Sequence, residues 1–209
     1  ESNITQVTAQ QYAMVAQMAG VTDVTIVVTA NRAVSGESAL TGVYKALAAD
    51  GQNLDSQNTS AANQVLDATQ GAINENSDDS SYPGKLMAAV GNVSKQVAQD
   101  KQDGQTDDSA QIQAILTKAL ENQGIASKTS SSAQTTIVNA LITFRDSPIS
   151  SSKTYVNNVT NTINNVKNST GDLMNKSKNW ANSEAAKTAV KDAQNWFQKL
   201  IAWIQNLFN

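Results

Sequence analysis

The chain has 209 residues, a formal net charge of −3 and only 5% aromatic residues, and it contains neither cysteine nor histidine. Disulfides, thiol nucleophiles, thiolate or imidazole metal sites and Ser-His-Asp triads are therefore excluded within it. The acidic balance disfavours a nucleic-acid partner, and no motif indicates a cofactor or a membrane-spanning segment.

The first fifty residues alternate between strand and helix patterns. Residues 3–7 are predicted to form a short strand, Thr8 is placed to cap a helix, and Gly20 is placed to end it in the left-handed conformation. Residues 23–31 are β-branched almost throughout, which is typical of a buried strand. The pattern predicts a parallel βαβ unit. Because two parallel strands do not make a stable sheet alone, we expect the chain to be a mature or trimmed part of a longer protein that supplies more strands.

Ser38 stands where the second strand gives way to a helix, in a context that resembles a nucleophile elbow. That motif, Gly-x-Ser-x-Gly, needs a second glycine where Leu40 stands, and it also needs a histidine. Lys45, the remaining candidate base, would lie about two turns further along the helix. We therefore interpret Ser38, or Ser35, as the start of a helix rather than as a nucleophile.

Residues 51–148 have apolar side chains at helical spacing throughout. The predicted helices cover residues 59–74, a segment from Pro83 to about Gln99, a segment that Asp107 or Asp108 caps and Gly124 ends, and a segment from a serine-rich turn to the residues before Pro148. This part of the chain therefore reads as a helical body.

Two acidic loops of this body, residues 74–81 and 100–108, have compositions that suit calcium. In the second loop Asp103 precedes Gly104, as in a calcium-binding loop. However, Lys101 occupies a position where the EF-hand pattern needs an acidic or amide group, and no glutamate follows until Glu121. We interpret both loops chiefly as solvated connections with helix caps, and a structural calcium site is the alternative.

From residue 150 the chain becomes rich in asparagine and then strongly apolar. Residues 155–173 carry a narrow apolar stripe, which indicates either a helix docked along one seam or a weak coiled-coil strand. Residues 193–209 have the pattern of an amphipathic helix, and its last fourteen residues hold two of the three tryptophans and two of the three phenylalanines. The side chains predicted to contact a membrane or a partner are Trp196, Phe197, Leu200, Ile201, Trp203, Ile204, Leu207 and Phe208.

Charge is distributed unevenly along the chain. Residues 1–150 carry 8 basic and 15 acidic side chains, a net −7, whereas residues 151–209 carry 7 basic and 3 acidic ones, a net +4. The basic tail either packs against the acidic body or meets an anionic surface. The terminal helix likewise closes a helical bundle, packs on a neighbouring copy, or enters a lipid surface, and these interpretations stay open.

The first part of the chain resembles a known family. The matching features are NIT-x-VT at the start, a tyrosine-bearing helix ending in AGV-x-D, the motif VSG-x-x-ALTG-x-YKA, and the later helix SAQIQAILTKALENQGI. Over about residues 1–147 the chain is similar to the YpuA-like secreted proteins of Gram-positive bacteria, the family called domain of unknown function 1002. The resemblance implies export, an extracellular or cell-wall location and a further N-terminal portion. It implies no catalytic residues, because the family has no assigned reaction.

Together these observations predict an α+β fold, mostly α. A small βαβ element with an incomplete parallel sheet, residues 1–50, precedes a helical body, 51–148, and a long polar helix with an aromatic amphipathic helix, 149–209. We expect a secreted, non-enzymatic cell-surface or interaction protein that forms homo-oligomers through its terminal helix. The alternatives are a protein that binds an anionic membrane or cell-wall surface through the same helix, and a carboxylate-dependent hydrolase, which the scarcity of aromatic residues in the body disfavours.

Overall fold

Helices dominate the structure, a computed structural model that describes residues 4–5, 7–21, 34–49, 51 and 53–168. The described α-helices are α1 (Ala9–Met18), α2 (Gly36–Ala49), α3 (Ser56–Glu75), α4 (Tyr82–Gln102), α5 (Ser109–Asn122), α6 (Ser131–Asp146) and α7 (Lys153–Lys167). Two 3₁₀ turns, Ala126–Lys128 and Pro148–Ser151, lead into α6 and α7. All of these elements belong to one unit, Glu1–Thr170. Among the described residues no helix combines the length and the apolar character needed to cross a membrane.

The predicted α+β class with a βαβ element is wrong, because the part of the chain that the structure describes is all-α. Extended pairing in the described residues is limited to β1 (Ile4–Thr5) and β2 (Val34–Ser35), which run parallel with two residues each. So short a ladder is not a sheet, and it has no face that could carry a core. The helices instead bury their apolar stripes against one another. The predicted second strand, residues 23–31, lies outside the described residues, and the observed partner of β1 is β2.

Helix ends follow the local signals that the sequence shows. Thr8 caps α1 in a reciprocal capping box: the Gln11 N–H donates to Thr8 Oγ1 at 3.2 Å and the Thr8 N–H donates to Gln11 Oε1 at 2.9 Å. Gly20 has φ +92°, and the Val21 N–H donates to the Ala16 carbonyl at 3.0 Å. The left-handed residue predicted at the end of α1 is therefore confirmed.

The same agreement holds at the later helices. Pro83 lies in the first turn of α4, and Gly124 follows α5 with φ +67°. Of the two candidate caps for α5, Asp108 is the one used: its carboxylate accepts from the Gln111 N–H at 2.8 Å. Short-range hydrogen bonding thus explains where these helices begin and end.

The central helix of the bundle is α4, which packs against α1, α3, α5, α6 and α7. Gly91, halfway along α4, lies where α1 and α7 approach it from two sides. A Cβ atom at this position would meet Met14 Cε of α1, and it would lie 2.7 Å from Ile163 Cγ1 of α7. The missing side chain therefore permits the close crossing of the three helices.

The asparagine-rich helix α7 is docked along one seam. Tyr155, Val159, Ile163 and Val166 are buried, and the helix packs on α4 and α1. For residues as far as Lys167, the docked helix is therefore the correct one of the two predicted alternatives. The partition of the chain at residues 50 and 148 stays a prediction.

Candidate functional site

The eight apolar residues predicted to contact a membrane or a partner, from Trp196 to Phe208, lie outside the described residues. Their assignment stays a prediction. Ser38 lies in the first turn of α2, which begins at Gly36, so the helix start expected in this region is confirmed. Lys45 is exposed on the same helix, seven residues further along.

The richest group of charged side chains in the described residues lies where the loop between α4 and α5 meets the end of α6. We call this group the α4–α5/α6 junction; its residues are Asp100, Lys101, Asp107, Asp108, Arg145, Asp146 and Ser150. The loop is one of the two that the sequence singled out for calcium. The loop is, however, bound by Arg145 of α6, which lies 38 residues away from Asp107 in sequence.

The loop is shaped by backbone hydrogen bonds at the end of α4. Gly104 has φ +79°, and the Gln105 N–H donates to the Asp100 carbonyl at 2.8 Å. This bond turns the chain sharply away from the helix. Three residues later Asp108 starts α5, so Asp107 is held between two fixed ends.

Arg145 and Lys101 join the loop, α4 and α6. Arg145 Nη1 donates to the main-chain carbonyl of Asp107 at 2.6 Å. In turn, Lys101 Nζ donates to the Arg145 carbonyl at 2.6 Å and to Ser150 Oγ at 2.8 Å, with a longer bond of 3.4 Å to the Ser147 carbonyl. The ammonium group therefore binds carbonyls that have no intrahelical partner at the C-terminal end of α6. A positive charge at this end also interacts favourably with the helix dipole.

Asp107 is the anomalous residue of the junction. It is only 5% exposed, and its Oδ2 has no hydrogen-bond partner in the structure. Burial raises the pKa of this carboxyl above its usual range; the charge of Asp100 and a hydrogen bond with its carboxyl raise that pKa further, while Arg145 opposes the change. Asp146 behaves in the opposite way, because a hydrogen bond from Arg145 lowers its pKa.

The junction does not assemble the ligands of a metal site. Within the described ranges no group of three or more acidic side chains is placed to hold a metal ion. Asp103, the residue that most suggested a calcium loop, is exposed. The acids meet instead as a pair, Asp100 and Asp107, in contact with a basic network.

The second acidic loop, residues 74–81, is tied to the 3₁₀ turn before α6. Asp79 Oδ2 accepts from Lys128 Nζ at 2.7 Å, and Asp79 Oδ1 accepts from the N–H and the hydroxyl of Ser81. The hydrogen bond from Lys128, followed by those from Ser81, lowers the pKa of Asp79. Beneath them the hydroxyls of Tyr82 and Thr129 lie 2.9 Å apart in the core. The carboxylate of Asp79 therefore links the loop of residues 74–81 to the 3₁₀ turn that precedes α6.

Buried hydroxyl groups elsewhere in the bundle also pair with each other. Tyr155 of α7 and Ser94 of α4 are both buried, and their hydroxyl oxygens lie 2.6 Å apart. Ser94 Oγ can donate to the Gly91 carbonyl at 2.9 Å, so the phenol donates to the serine. Burial raises the pKa of Tyr155, which keeps this phenol neutral. The pair is a structural link that satisfies both hydroxyl groups.

Comparison with known proteins identifies the family but no function. The model of the family described as "Protein of unknown function (DUF1002)" matches residues 1–166, about four-fifths of the chain. The chain belongs to the DUF1002 family. No curated protein and no solved structure matches it. The match includes every residue of the α4–α5/α6 junction, so the junction lies within the DUF1002 region, whereas the segment from Trp196 to Phe208 lies beyond it.

Sequence reasoning missed most of the junction. It singled out the acids of residues 100–108, but it gave no role to Arg145, Lys101 or Ser150. In this DUF1002 chain, Arg145 and Asp107 are 38 residues apart, and no spacing rule pairs them. The available signal was local: Lys101 lies in the last turn of α4, where the helix dipole favours a positive charge.

Proposed function

We propose that the protein is an extracellular, non-enzymatic interaction protein that associates with a second copy through the segment from Trp196 to Phe208. The observation that carries this proposal is the apolar content of that segment: eight of its thirteen residues are large and apolar. Full burial of each such side chain is worth about 1.5–3 kcal/mol, so their joint exposure to water is very unfavourable.

The helical body supports the proposal through what its surface lacks. In residues 53–168, no valine, leucine, isoleucine, methionine, phenylalanine or tyrosine is exposed. The exposed surface of residues 53–168 is therefore polar, and it contains no patch of large apolar side chains through which a second copy could associate. The outer face of α6 illustrates this character with Ser131, Ser132, Thr135, Thr136 and Asn139.

The non-enzymatic part of the proposal rests on how the reactive side chains of the body are used. Lys101 binds the end of α6, Ser94 binds Tyr155, and Arg145 binds a loop carbonyl. Each of these groups has a structural role that explains its position. The absence of cysteine and histidine from the sequence removes the commonest nucleophile and base.

Light scattering of the full chain tests self-association. The variant combines Leu200→Ser, Trp203→Ser and Leu207→Ser, whose spacing in the sequence is that of one face of the predicted helix. We expect the wild-type protein to form an oligomer and this variant to elute as a monomer. A matched control combines Gln198→Ser, Gln205→Ser and Asn206→Ser, and it should keep the wild-type mass. A monomeric wild-type protein, or equal masses for all three, would refute self-association through this segment.

Binding to an anionic membrane surface is the second candidate. It is favoured by the net charge of +4 in residues 151–209 and by the lysines before the apolar segment, Lys176, Lys178, Lys187 and Lys191. Co-sedimentation with phosphatidylglycerol vesicles and with phosphatidylcholine vesicles tests it. Salt-sensitive binding to the anionic vesicles alone, lost in the serine variant and kept in its control, supports this candidate. Failure to bind either vesicle eliminates it.

A further inference from the structure

The Oδ2 atom of Asp107 has no hydrogen-bond donor although the residue is nearly removed from water. Its residue is 5% exposed, and its Oδ2 has no partner. An ionised carboxylate in such a place is strongly destabilised, because neither water nor the protein solvates its charge. Native proteins seldom leave a buried polar atom in this state without a reason.

The nearby cations do not supply the missing donor. The charged groups around Asp107 are Asp100 and Lys101 of α4, Asp108 at the start of α5, and Arg145 and Asp146 of α6. Lys101 Nζ bonds two carbonyls and a serine hydroxyl. Arg145 uses Nη1 for the Asp107 carbonyl and uses Nε and Nη2 for the Asp146 carboxylate, at 2.8 and 2.9 Å.

Asp100 is the remaining polar neighbour: the Gln105 N–H donates to its carbonyl at 2.8 Å, which brings the loop back to this residue, and a hydrogen bond with its carboxyl contributes to the raised pKa of Asp107. Two ionised carboxylates cannot bond each other, whereas a carboxylic acid can donate to a carboxylate. Asp100 Oδ1 already accepts from Gln96 Nε2 at 2.8 Å, whereas Asp107 Oδ2 is buried and accepts from no donor. The geometry therefore assigns the proton to Asp107.

We propose that Asp107 carries a proton and donates it in a hydrogen bond to Asp100, so that this acid pair forms a pH-sensitive clasp between α4 and the loop that α6 holds. When the proton is lost, two negative charges face each other in a largely dry site. Arg145 and Lys101 donate to other acceptors, so the attraction of Arg145 offsets this repulsion only in part. Acid then tightens the junction and alkali loosens it.

The direction of the pH effect follows from the difference between the folded and unfolded states. Burial, and then Asp100, raise the pKa of Asp107 in the folded protein above the value of about 3.9 in an unfolded chain. As the pH falls through the folded value, the folded protein binds a proton that the unfolded chain does not yet bind. The contribution of the pair to stability therefore increases on acidification, until the pH nears the unfolded value.

Asp107→Asn in the full chain tests the clasp, because an asparagine amide can donate to Asp100 at every pH. We expect urea denaturation at pH 8 to show a folding equilibrium constant about fivefold or more above that of the wild type, since a buried unpaired group costs about 1–3 kcal/mol. The advantage should shrink as the pH is lowered towards 5. Asp103→Asn is the matched control: it removes the same charge from the same loop at an exposed position, and it should keep the wild-type pH dependence.

A direct titration tests the proposal even if a variant folds poorly. Carbon-13 NMR of the wild-type side-chain carboxyls should show Asp107 titrating above the other aspartates, and Asp100→Asn should lower its midpoint. An ordinary midpoint for Asp107, or a less stable Asp107→Asn protein at pH 8, would overturn the proposal. The proposal would also be overturned if millimolar calcium stabilised the wild type but not Asp107→Asn, because a cation would then occupy the place of the proton.

Discussion

Replacing Gly91 by alanine tests how closely three helices cross at the centre of the bundle. The new Cβ atom would contact Met14 Cε, and it would lie 3.0 Å from Met14 Sδ and 2.7 Å from Ile163 Cγ1. The flexible end of Met14 can move aside, but Ile163 Cγ1 is close to its own backbone, so α7 has to shift. Overpacking of this kind costs about 1–3 kcal/mol. Alanine regains about 1 kcal/mol of helix propensity, so we expect a net loss of up to about 2 kcal/mol in the free energy of unfolding.

Urea denaturation followed by circular dichroism measures this difference. Gly71→Ala is the matched control, because Gly71 is an exposed helical glycine of α3 whose added Cβ would meet no atom within 4 Å. The control should gain about 1 kcal/mol, so the same substitution should change stability in opposite directions at the two positions. In Gly91→Ala/Ile163→Ala the two losses should be less than additive. If Gly91→Ala is as stable as Gly71→Ala, the inferred close crossing of α1, α4 and α7 is wrong.

Three further predictions concern the polar contacts. Lys101→Met should lower the free energy of unfolding in urea by about 1–2 kcal/mol, because the carbonyls at the end of α6 lose a charged donor. The control Lys118→Met, at an exposed lysine, should change it by less than about 0.5 kcal/mol in the same assay. Ser94→Ala should lower the free energy of unfolding by about 1–3 kcal/mol, because it leaves the phenol of Tyr155 buried without an acceptor. The double variant Ser94→Ala/Tyr155→Phe should recover part of this free energy; if the single and the double variant lose equal amounts, the hydrogen bond between the two hydroxyls is disproved. Burial raises the pKa of all four tyrosines, to about 12 for Tyr12, so stability should fall as the pH rises above about 10, where the unfolded chain ionises its phenols first. Absorbance at 295 nm should then increase together with unfolding, and separate ionisation of the phenols in a folded protein would contradict this.

Much of the helical architecture was predictable from the sequence because its signals are local. The Thr8 cap, the left-handed Gly20 and Gly124, and Pro83 in the first turn of α4 each act within about one helical turn. The apolar stripes of α3 to α6 were also recognised from their spacing. The fold class was predicted wrongly because the extent of strand pairing depends on neighbours that the sequence does not reveal: in the described residues it is limited to two residues each in β1 and β2. The strand predicted at residues 23–31 lies outside the described residues.

The α4–α5/α6 junction was predictable only in part. Its acids were visible as a cluster, which was interpreted chiefly as a solvated loop with a helix cap, and a calcium site was the alternative that their composition suggested. The sequence could not show that Asp107 is buried while Asp103 is exposed, since that depends on the docking of α6 against the loop. It also could not show that Arg145 binds the Asp107 carbonyl, because the two residues are brought together by packing and not by spacing.

By itself, the sequence determined where the helices begin and end, which faces they bury, and which chemistry is excluded by the lack of cysteine and histidine. These properties depend on residue type and on hydrogen bonds that span a few residues. Only the tertiary structure decided that Gly91 lies at a crossing of three helices, that Lys101 binds the end of α6, and that one aspartate of an acidic loop is removed from water. Such contacts join residues that are tens of positions apart, and they arise from the way helices pack, which no local rule encodes.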